Sequence, residues 1–174
     1  MLIQPYSSKW IIDFQNIRLI LREALPDFEI QIEHVGSTSV PQLAAKAIID
    51  LDLIYPPSVN FESIKAGLAT IGYFHNGDQG IPQREVFKRQ QPSVAHPVLD
   101  ELEHHLYVCP LAGTEWQRHV RFRDYLRKDA TTRMAYQALK LAIAAEVKQD
   151  RKAYASLKET QAKSFIETVL ARAL

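Results

Sequence analysis

The nine residues from Ala47 to Tyr55, Ala-Ile-Ile-Asp-Leu-Asp-Leu-Ile-Tyr, constrain this chain more than any other segment. They are apolar and β-branched enough for a central strand, yet two aspartates interrupt them. Strand side chains alternate, so Asp50 and Asp52 project from one face while Ile49, Leu51 and Leu53 fill the other. A buried strand does not hold two like charges side by side without a counter-ion. One face of this strand therefore belongs to an apolar core, and the other to a polar site that can take a cation.

The preceding segment supplies a complementary half. Phe28, Ile30, Ile32 and His34 alternate with Glu29, Gln31 and Glu33, a half-buried strand ending at Gly36. Ser37-Thr38-Ser39-Val40-Pro41 offers hydroxyl caps with a proline near the first turn, which predicts a short helix through about Lys46. A Gly-Ser turn at a helix start aims N–H groups and hydroxyls at an anion, and Gly36 permits close approach. Mg²⁺ is commonly held by one or two carboxylates together with substrate phosphates. Asp50 and Asp52 are therefore the candidate metal ligands, beside a phosphate site at Gly36, Ser37, Thr38 and Ser39.

The rest of the chain predicts an α+β fold: a mixed sheet flanked by helices, with a helical C-terminal half. Trp10, Ile11, Phe14, Ile17 and Leu21 mark an amphipathic helix over 8–24. Asn60 caps a helix carrying Phe61, Ile64, Leu68 and Ile71 and closing at Gly72. Tyr73 to Phe74 and Arg84 to Arg89 read as a hairpin around the turn-rich Asn76 to Gly80. A Pro-containing loop from Gln91 to Pro97 leads to a strand from His104 to Cys109. From Thr114 onward the period is helical, over about 115–128, 132–148 and 151–172, with no Pro or Gly inside. A length of 174 residues fits a single domain, with 1–112 as an αβ core and 113–174 as a helical subdomain.

Charge follows the same division. Residues 1–112 carry 8 Lys/Arg against 13 Asp/Glu, and residues 113–174 carry 13 against 7. An acidic half able to hold a cation thus faces a basic half able to hold phosphates, or two lobes simply attract. A net charge of +1 without aromatic-basic interleaving argues against nucleic acid as a partner. The lone Cys109 excludes an internal disulfide and a multi-thiolate zinc site. With no basic start followed by an apolar run, a reducing, cytoplasmic location is expected. No apolar stretch approaches the roughly 18 residues that span a bilayer, so no membrane partner is expected.

Further residues can join the site. Lys46 stands four residues before Asp50, within reach of an aspartate or a phosphate oxygen. His105 and Tyr107 share one strand face and lie near the aspartates if the strands are neighbours. His105 is then a candidate general base or phosphate donor, unless it is structural and His104 is the exposed one. Alternation puts Arg84 and Glu85 on opposite faces, so one of them faces the site: Arg84 as a phosphate contact, or Glu85 as a base. His34 is expected to order the Gly-Ser turn by hydrogen bonding. Arg123 and Arg127, spaced i, i+4 with Arg118 nearby, form either a phosphate clamp or a solvated row paired with Asp124 and Asp129.

The order strand, Gly-Ser turn, short helix, Asp-x-Asp strand, with twelve residues from Thr38 to Ile49 between Ser37 and Asp50, resembles the nucleotidyltransferase signature of the polymerase-β superfamily. More closely, His34-Val-Gly-Ser-Thr-Ser-Val-Pro41 with Lys46 and Ile48-Ile49-Asp50 resembles the GrpB-like family, small nucleotidyltransferase-fold proteins of unsettled function. The likeness continues through Gly72-Tyr73, Gly80-Ile81-Pro82 with Arg84 and Phe87, His105-Leu106, Phe122 to Arg127, Tyr136 to Lys140, and the last helix with Tyr154, Lys163, Phe165 and Ile166. Gln42, Ala47 and Tyr107 depart from it, standing where Gly, Pro and a second His are usual. The resemblance implies Mg²⁺-dependent transfer of a nucleotidyl group from a nucleoside triphosphate to an unknown acceptor. Active nucleotidyltransferases usually carry a third carboxylate on a neighbouring strand, and no clear candidate stands here. Similar proteins also occur fused to a coenzyme-A biosynthetic kinase. The alternative implied is an inactive nucleotide-binding or accessory module.

Overall fold

A computed structural model of the chain describes residues 1–89 and 94–173. Of the loop expected from Gln91 to Pro97, Gln91, Pro92 and Ser93 lie outside the described residues. Helix α1, Lys9–Ala24, buries Trp10, Phe14, Ile17 and Leu21 at the spacing read from the sequence. Strands β1 and β2 are Gln31–Val35 and Ile49–Tyr55. Helix α2, Phe61–Thr70, begins where the Asn60 side chain accepts from the Glu62 N–H. The expected hairpin pairs β3, Tyr73–His75, with β4, Glu85–Arg89. A five-residue helix not foreseen in the sequence, α3 at Pro97–Glu101, precedes β5, His104–Pro110.

These strands form one mixed sheet in the order β1-β2-β5-β4-β3, with β2 and β5 parallel and the other pairs antiparallel. On one face Ile49, Leu51 and Leu53 of β2, Leu106 and Val108 of β5 and Phe87 of β4 join the core formed with α1 and α2. The opposite face carries the aspartates. Four helices follow: α4 at Glu115–Lys128, α5 at Ala130–Glu146, α6 at Arg151–Gln161 and α7 at Lys163–Arg172. The single helix expected over 151–172 is thus interrupted at Ala162, which is buried among Val40, Leu43, Leu126 and Tyr136. Among the described residues no helix is long and apolar enough to cross a membrane.

The short helix expected through Lys46 does not form. A 3-10 turn, Ser37–Ser39, gives way to irregular chain. Pro41 follows, and Gln42 takes a left-handed φ of 65°, which explains why glycine is usual there. Backbone groups that a helix would pair internally find distant partners instead. Ala45 exchanges both backbone hydrogen bonds with Gln4, at 2.8 and 2.9 Å. The Ala44 N–H donates to Gln137 Oε1 at 2.7 Å, and the Ala44 carbonyl accepts from Lys140 Nζ. Helix α5 therefore holds this segment open between β1 and β2.

Candidate functional site

Gly36 leaves β1 with φ 70° and ψ −172°, a region essentially reserved for glycine. A Cβ at this position would lie 2.1 Å from Asp50 Oδ2, so the missing side chain lets the turn and the carboxylate touch. The turn is stiffened from below. Thr38 Oγ1 donates to the Ile48 carbonyl at 3.0 Å, so at the 3.1 Å contact with His34 it is His34 Nε2 that donates to Thr38. His34 also stacks on Phe14, with ring centroids 4.7 Å apart. Its expected role in ordering the turn has a full geometric account. Ser39 Oγ donates to the Gly36 carbonyl at 2.6 Å, and its own carbonyl accepts from Arg127.

These contacts correct part of the expected phosphate site. Thr38 and Ser39 are buried and committed to the turn. Arg123 is buried as well: it donates to Glu33 Oε2 at 2.7 Å, the His34 carbonyl at 2.8 Å and Asp124 Oδ1 at 2.8 Å. An i, i+4 arginine row shows that an acceptor is needed but not which one, and here β1 supplies it. Arg118 likewise pairs with Glu167 and Glu115.

Burial holds His34 neutral, with its pKa lowered to about 4. The unfolded chain, with His near 6.5, binds this proton first as pH falls. Stability is therefore lost between about pH 6.5 and 4 and is unaffected above that window. Urea unfolding at pH 7.0 and 4.5 is expected to show a smaller acid loss in His34→Gln, whose amide can still donate to Thr38. Equal acid losses in the two proteins would remove His34 from the account.

Ser37 is the hydroxyl that remains available. Its Oγ accepts from Lys140 Nζ at 3.1 Å. Lys140, on α5, is only 1% exposed, and burial, reinforced by Lys158 of α6, pulls its pKa well down. Lys46 lies 5.3 Å over the Tyr154 ring and is also pulled down, by burial and then by Arg151 and Lys158. Lys158 thus raises the cost of ionising both Lys46 and Lys140, while Tyr136 and then Tyr154 push its own pKa up. An anion placed among these cations would lower that cost. Neither Lys140 nor Lys158 was singled out from the sequence, although Lys140 is the only charge between Arg133 and Glu146.

Sheet register brings the three expected catalytic residues together. Asp50 lies opposite Val35 of β1 and His105 of β5, and Asp52 opposite Glu33 and Tyr107. His105 Nδ1 is 2.9 Å from Asp50 Oδ1. A carboxylate only accepts, so Nδ1 donates, which leaves Nε2 as the acceptor nitrogen of the neutral ring, on a side chain that is half exposed. Asp52 is fully buried, and its Oδ2 accepts from Nδ1 of His119, on α4, at 2.8 Å. No periodicity foretold His119, because its partner comes from another element. For His119, burial lowers the pKa, but the hydrogen bond and charge of Asp52 outweigh it, so the ring holds its proton above the usual range. Burial pushes the Asp52 carboxyl up, against the pull of His119.

The remaining candidates separate by face. Arg84 lies on the aspartate side, its guanidinium 4.8 Å over the Tyr107 ring. Glu85 points away and meets His75 Nε2 at 2.5 Å, so it is not the base. His104 is the structural histidine, bonded to Tyr73 and the Leu102 carbonyl, and His105 is the exposed one.

Whether Mg²⁺ suits this geometry can be read from the donors. Among the described residues no three His, Cys, Asp or Glu side chains are grouped to hold a metal ion. What exists is a carboxylate pair in which Asp52 Oδ1 is buried without a partner. That set fits a cation bound through one or two carboxylates and completed by substrate phosphates.

Comparison with known proteins agrees with this architecture. A UPF0157 protein of Pseudomonas aeruginosa is 34% identical over 172 residues, covering 99% of this chain and 67% of the relative. The glutamate-rich protein GrpB of Alkalihalophilus pseudofirmus is 27% identical, covering 97% and 93%. A UPF0157 protein of Bacillus subtilis is 32% identical over 146 residues, and the match spans only 39% of its length. The crystal structure of GrpB from Enterococcus faecalis superposes with a TM-score of 0.79 at 27% identity, covering 98% of this chain and 96% of that one. Cid1, described as having RNA terminal uridylyl transferase activity, shares the fold with a TM-score of 0.52 at 13% identity, over 83% of this chain and 43% of Cid1. The GrpB protein family model matches residues 1–172, and the turn, aspartates and helices described above all fall within that span, so the chain belongs to the GrpB family.

Proposed function

We propose that the chain binds a nucleoside triphosphate between its sheet and its C-terminal helices and transfers the nucleotidyl group to a hydroxyl acceptor. The observation that carries this is one juxtaposition: across Gly36, the aspartate pair adjoins the Ser37–Lys140 contact and its lysine cluster. Ser37, Lys46, Lys140 and Lys158 bind the β- and γ-phosphates and stabilise the charge of the leaving pyrophosphate. Asp50 and Asp52 hold Mg²⁺, which supplies positive charge to the phosphate oxygens when bound. His105, oriented by Asp50, takes the acceptor proton at Nε2. The acceptor oxygen forms a bond to the α-phosphorus as the bond to the β-phosphate oxygen breaks, and pyrophosphate leaves.

A second reading, a nucleotide-binding accessory module without turnover, draws on a specific feature. The β5 residues beside the aspartates are His105 and Tyr107, and neither is a carboxylate. Pyrophosphate release with any acceptor decides against it.

Thermal unfolding tests the shared premise, using wild type and the Asp50→Asn/Asp52→Asn double variant with each ribonucleoside triphosphate, with and without Mg²⁺. At 100 times Kd a ligand stabilises by about 2.7 kcal/mol, or roughly 5–11 °C for a chain of this size. The expected result is a Mg²⁺-dependent rise for at least one nucleotide that disappears in the double variant. No rise with any of the four, or an identical rise in the variant, would reject the site.

A further inference from the structure

Arg84 is the arginine of this site that, among the described residues, the protein itself leaves unpaired. Arg123, Arg127, Arg118, Arg89 and Arg151 all meet carboxylates or backbone carbonyls. Among the described residues Arg84 joins no ion pair, and its Nε is buried without a hydrogen-bond partner. Its visible contact is the Tyr107 ring, which also lies 6.0 Å from His119 and 6.3 Å from His105. A guanidinium so placed is held flat by an aromatic face, with its planar donors left for an oxyanion.

Its place in the sheet says which oxyanion. Strand β1, whose end carries the Ser37 turn, flanks β2 on one side, and β5 and then β4 follow on the other. The aspartates of β2 therefore stand between the Ser37–Lys140 contact and Arg84, with His105 on the Arg84 side. In phosphoryl transfer the attacking and leaving oxygens lie roughly in line. If pyrophosphate leaves toward Ser37 and the lysines, the acceptor enters over β5, past His105 Nε2, and Arg84 waits beyond it.

We propose that Arg84 anchors the acceptor rather than the triphosphate, and that the acceptor is a small hydroxyl compound carrying an oxyanion, phosphate or carboxylate, near the reacting hydroxyl. This rests on the nucleotidyl-transfer reading above. A polynucleotide acceptor would need a run of cations and stacking rings along its path. The sheet half instead carries 8 basic against 13 acidic residues, and Arg84, beside Tyr107, is a single guanidinium rather than a run of cations.

Calorimetry with three matched probes separates the possibilities. Wild type and Arg84→Gln are first titrated with Mg²⁺ and a non-hydrolysable triphosphate analogue, then, saturated with it, with glycerol, glycerate, glycerol 3-phosphate and a short oligoribonucleotide. Analogue affinity is expected to agree within about twofold between the two proteins. Glycerol 3-phosphate, glycerate or both should bind wild type at least tenfold more tightly than glycerol does, and Arg84→Gln should lose that preference. A large loss of analogue affinity in Arg84→Gln with the probe preference intact returns Arg84 to the triphosphate and overturns the proposal. Oligonucleotide binding that depends on Arg84 and exceeds that of both small anions also overturns it. Absence of analogue binding to wild type instead removes the reading beneath it, a result distinct from the other two.

Discussion

Alanine at position 36 is expected to cost about 2–6 kcal/mol of stability, the sum of two effects at one atom. The backbone, at φ 70° and ψ −172°, sits where a side chain costs about 1–3 kcal/mol. The new Cβ would then meet Asp50 Oδ2 at 2.1 Å, Cγ at 2.8 Å and Cβ at 3.0 Å, so the whole side chain must move, and overpacking of that kind costs a further 1–3 kcal/mol or about that. For a chain of this length the sum lowers Tm by roughly 4–24 °C. It also drives the carboxylate proposed to hold Mg²⁺ out of the site, so on that reading nucleotide binding should disappear even in the fraction that stays folded. A double-mutant cycle separates the effects. Introduced into Asp50→Ala, which keeps only the Cβ contact at 3.0 Å, the same Gly36→Ala change should cost little more than the backbone part, about 1–3 kcal/mol. An equal cost in both backgrounds would mean that contact with Asp50 is not what demands glycine.

Position 36 also shows how much of this site was legible in the sequence. A glycine at a strand end, a serine after it and an Asp-x-Asp strand are local facts, and alternation alone placed Ile49, Leu51 and Leu53 in the core and the aspartates opposite. Alternation likewise separated Arg84 from Glu85. Local signals failed where the partner lay far along the chain. Residues 37–41 carry helix-start chemistry, but Gln4, Gln137 and Lys140 take the backbone groups of Ala44 and Ala45 and hold the segment open. Arg123 looked like a phosphate ligand because its acceptors, Glu33 and the His34 carbonyl, are about ninety residues away. His119 reaches Asp52 only because α4 crosses the sheet face, a relation no period of its own helix encodes. Lys140 is a different case, since a single charge inside the apolar turns of α5 was visible but not singled out, and the proposed function gives it a task.

That task makes Lys140→Met the most informative binding variant. The ammonium is 1% exposed, and its two hydrogen-bond partners, Ser37 Oγ and the Ala44 carbonyl, are neutral. A buried charge without an opposite charge destabilises the fold, whereas a hydrophobic side chain of similar volume is often neutral or better. Against that gain, the Ala44 carbonyl loses a donor, at about 1–3 kcal/mol if it stays unpaired. The two effects nearly offset, so Tm should change little. Triphosphate affinity should fall by roughly 10–150-fold, since a hydrogen bond from a charged group contributes about 1.5–3 kcal/mol. Alkaline titration supplies a second readout. Burial and the neighbouring Lys158 depress the pKa of Lys140, with Tyr136, 5.0 Å away, and Lys46 the other titratable groups of the cluster. If triphosphate binds the protonated lysine, as proposed, wild-type affinity should decline as pH rises through that depressed value, while Lys140→Met, already weak, should show a shallower decline. Unchanged affinity in Lys140→Met, with the fold intact, would mean that the lysine cluster supports the turn and takes no part in holding phosphate.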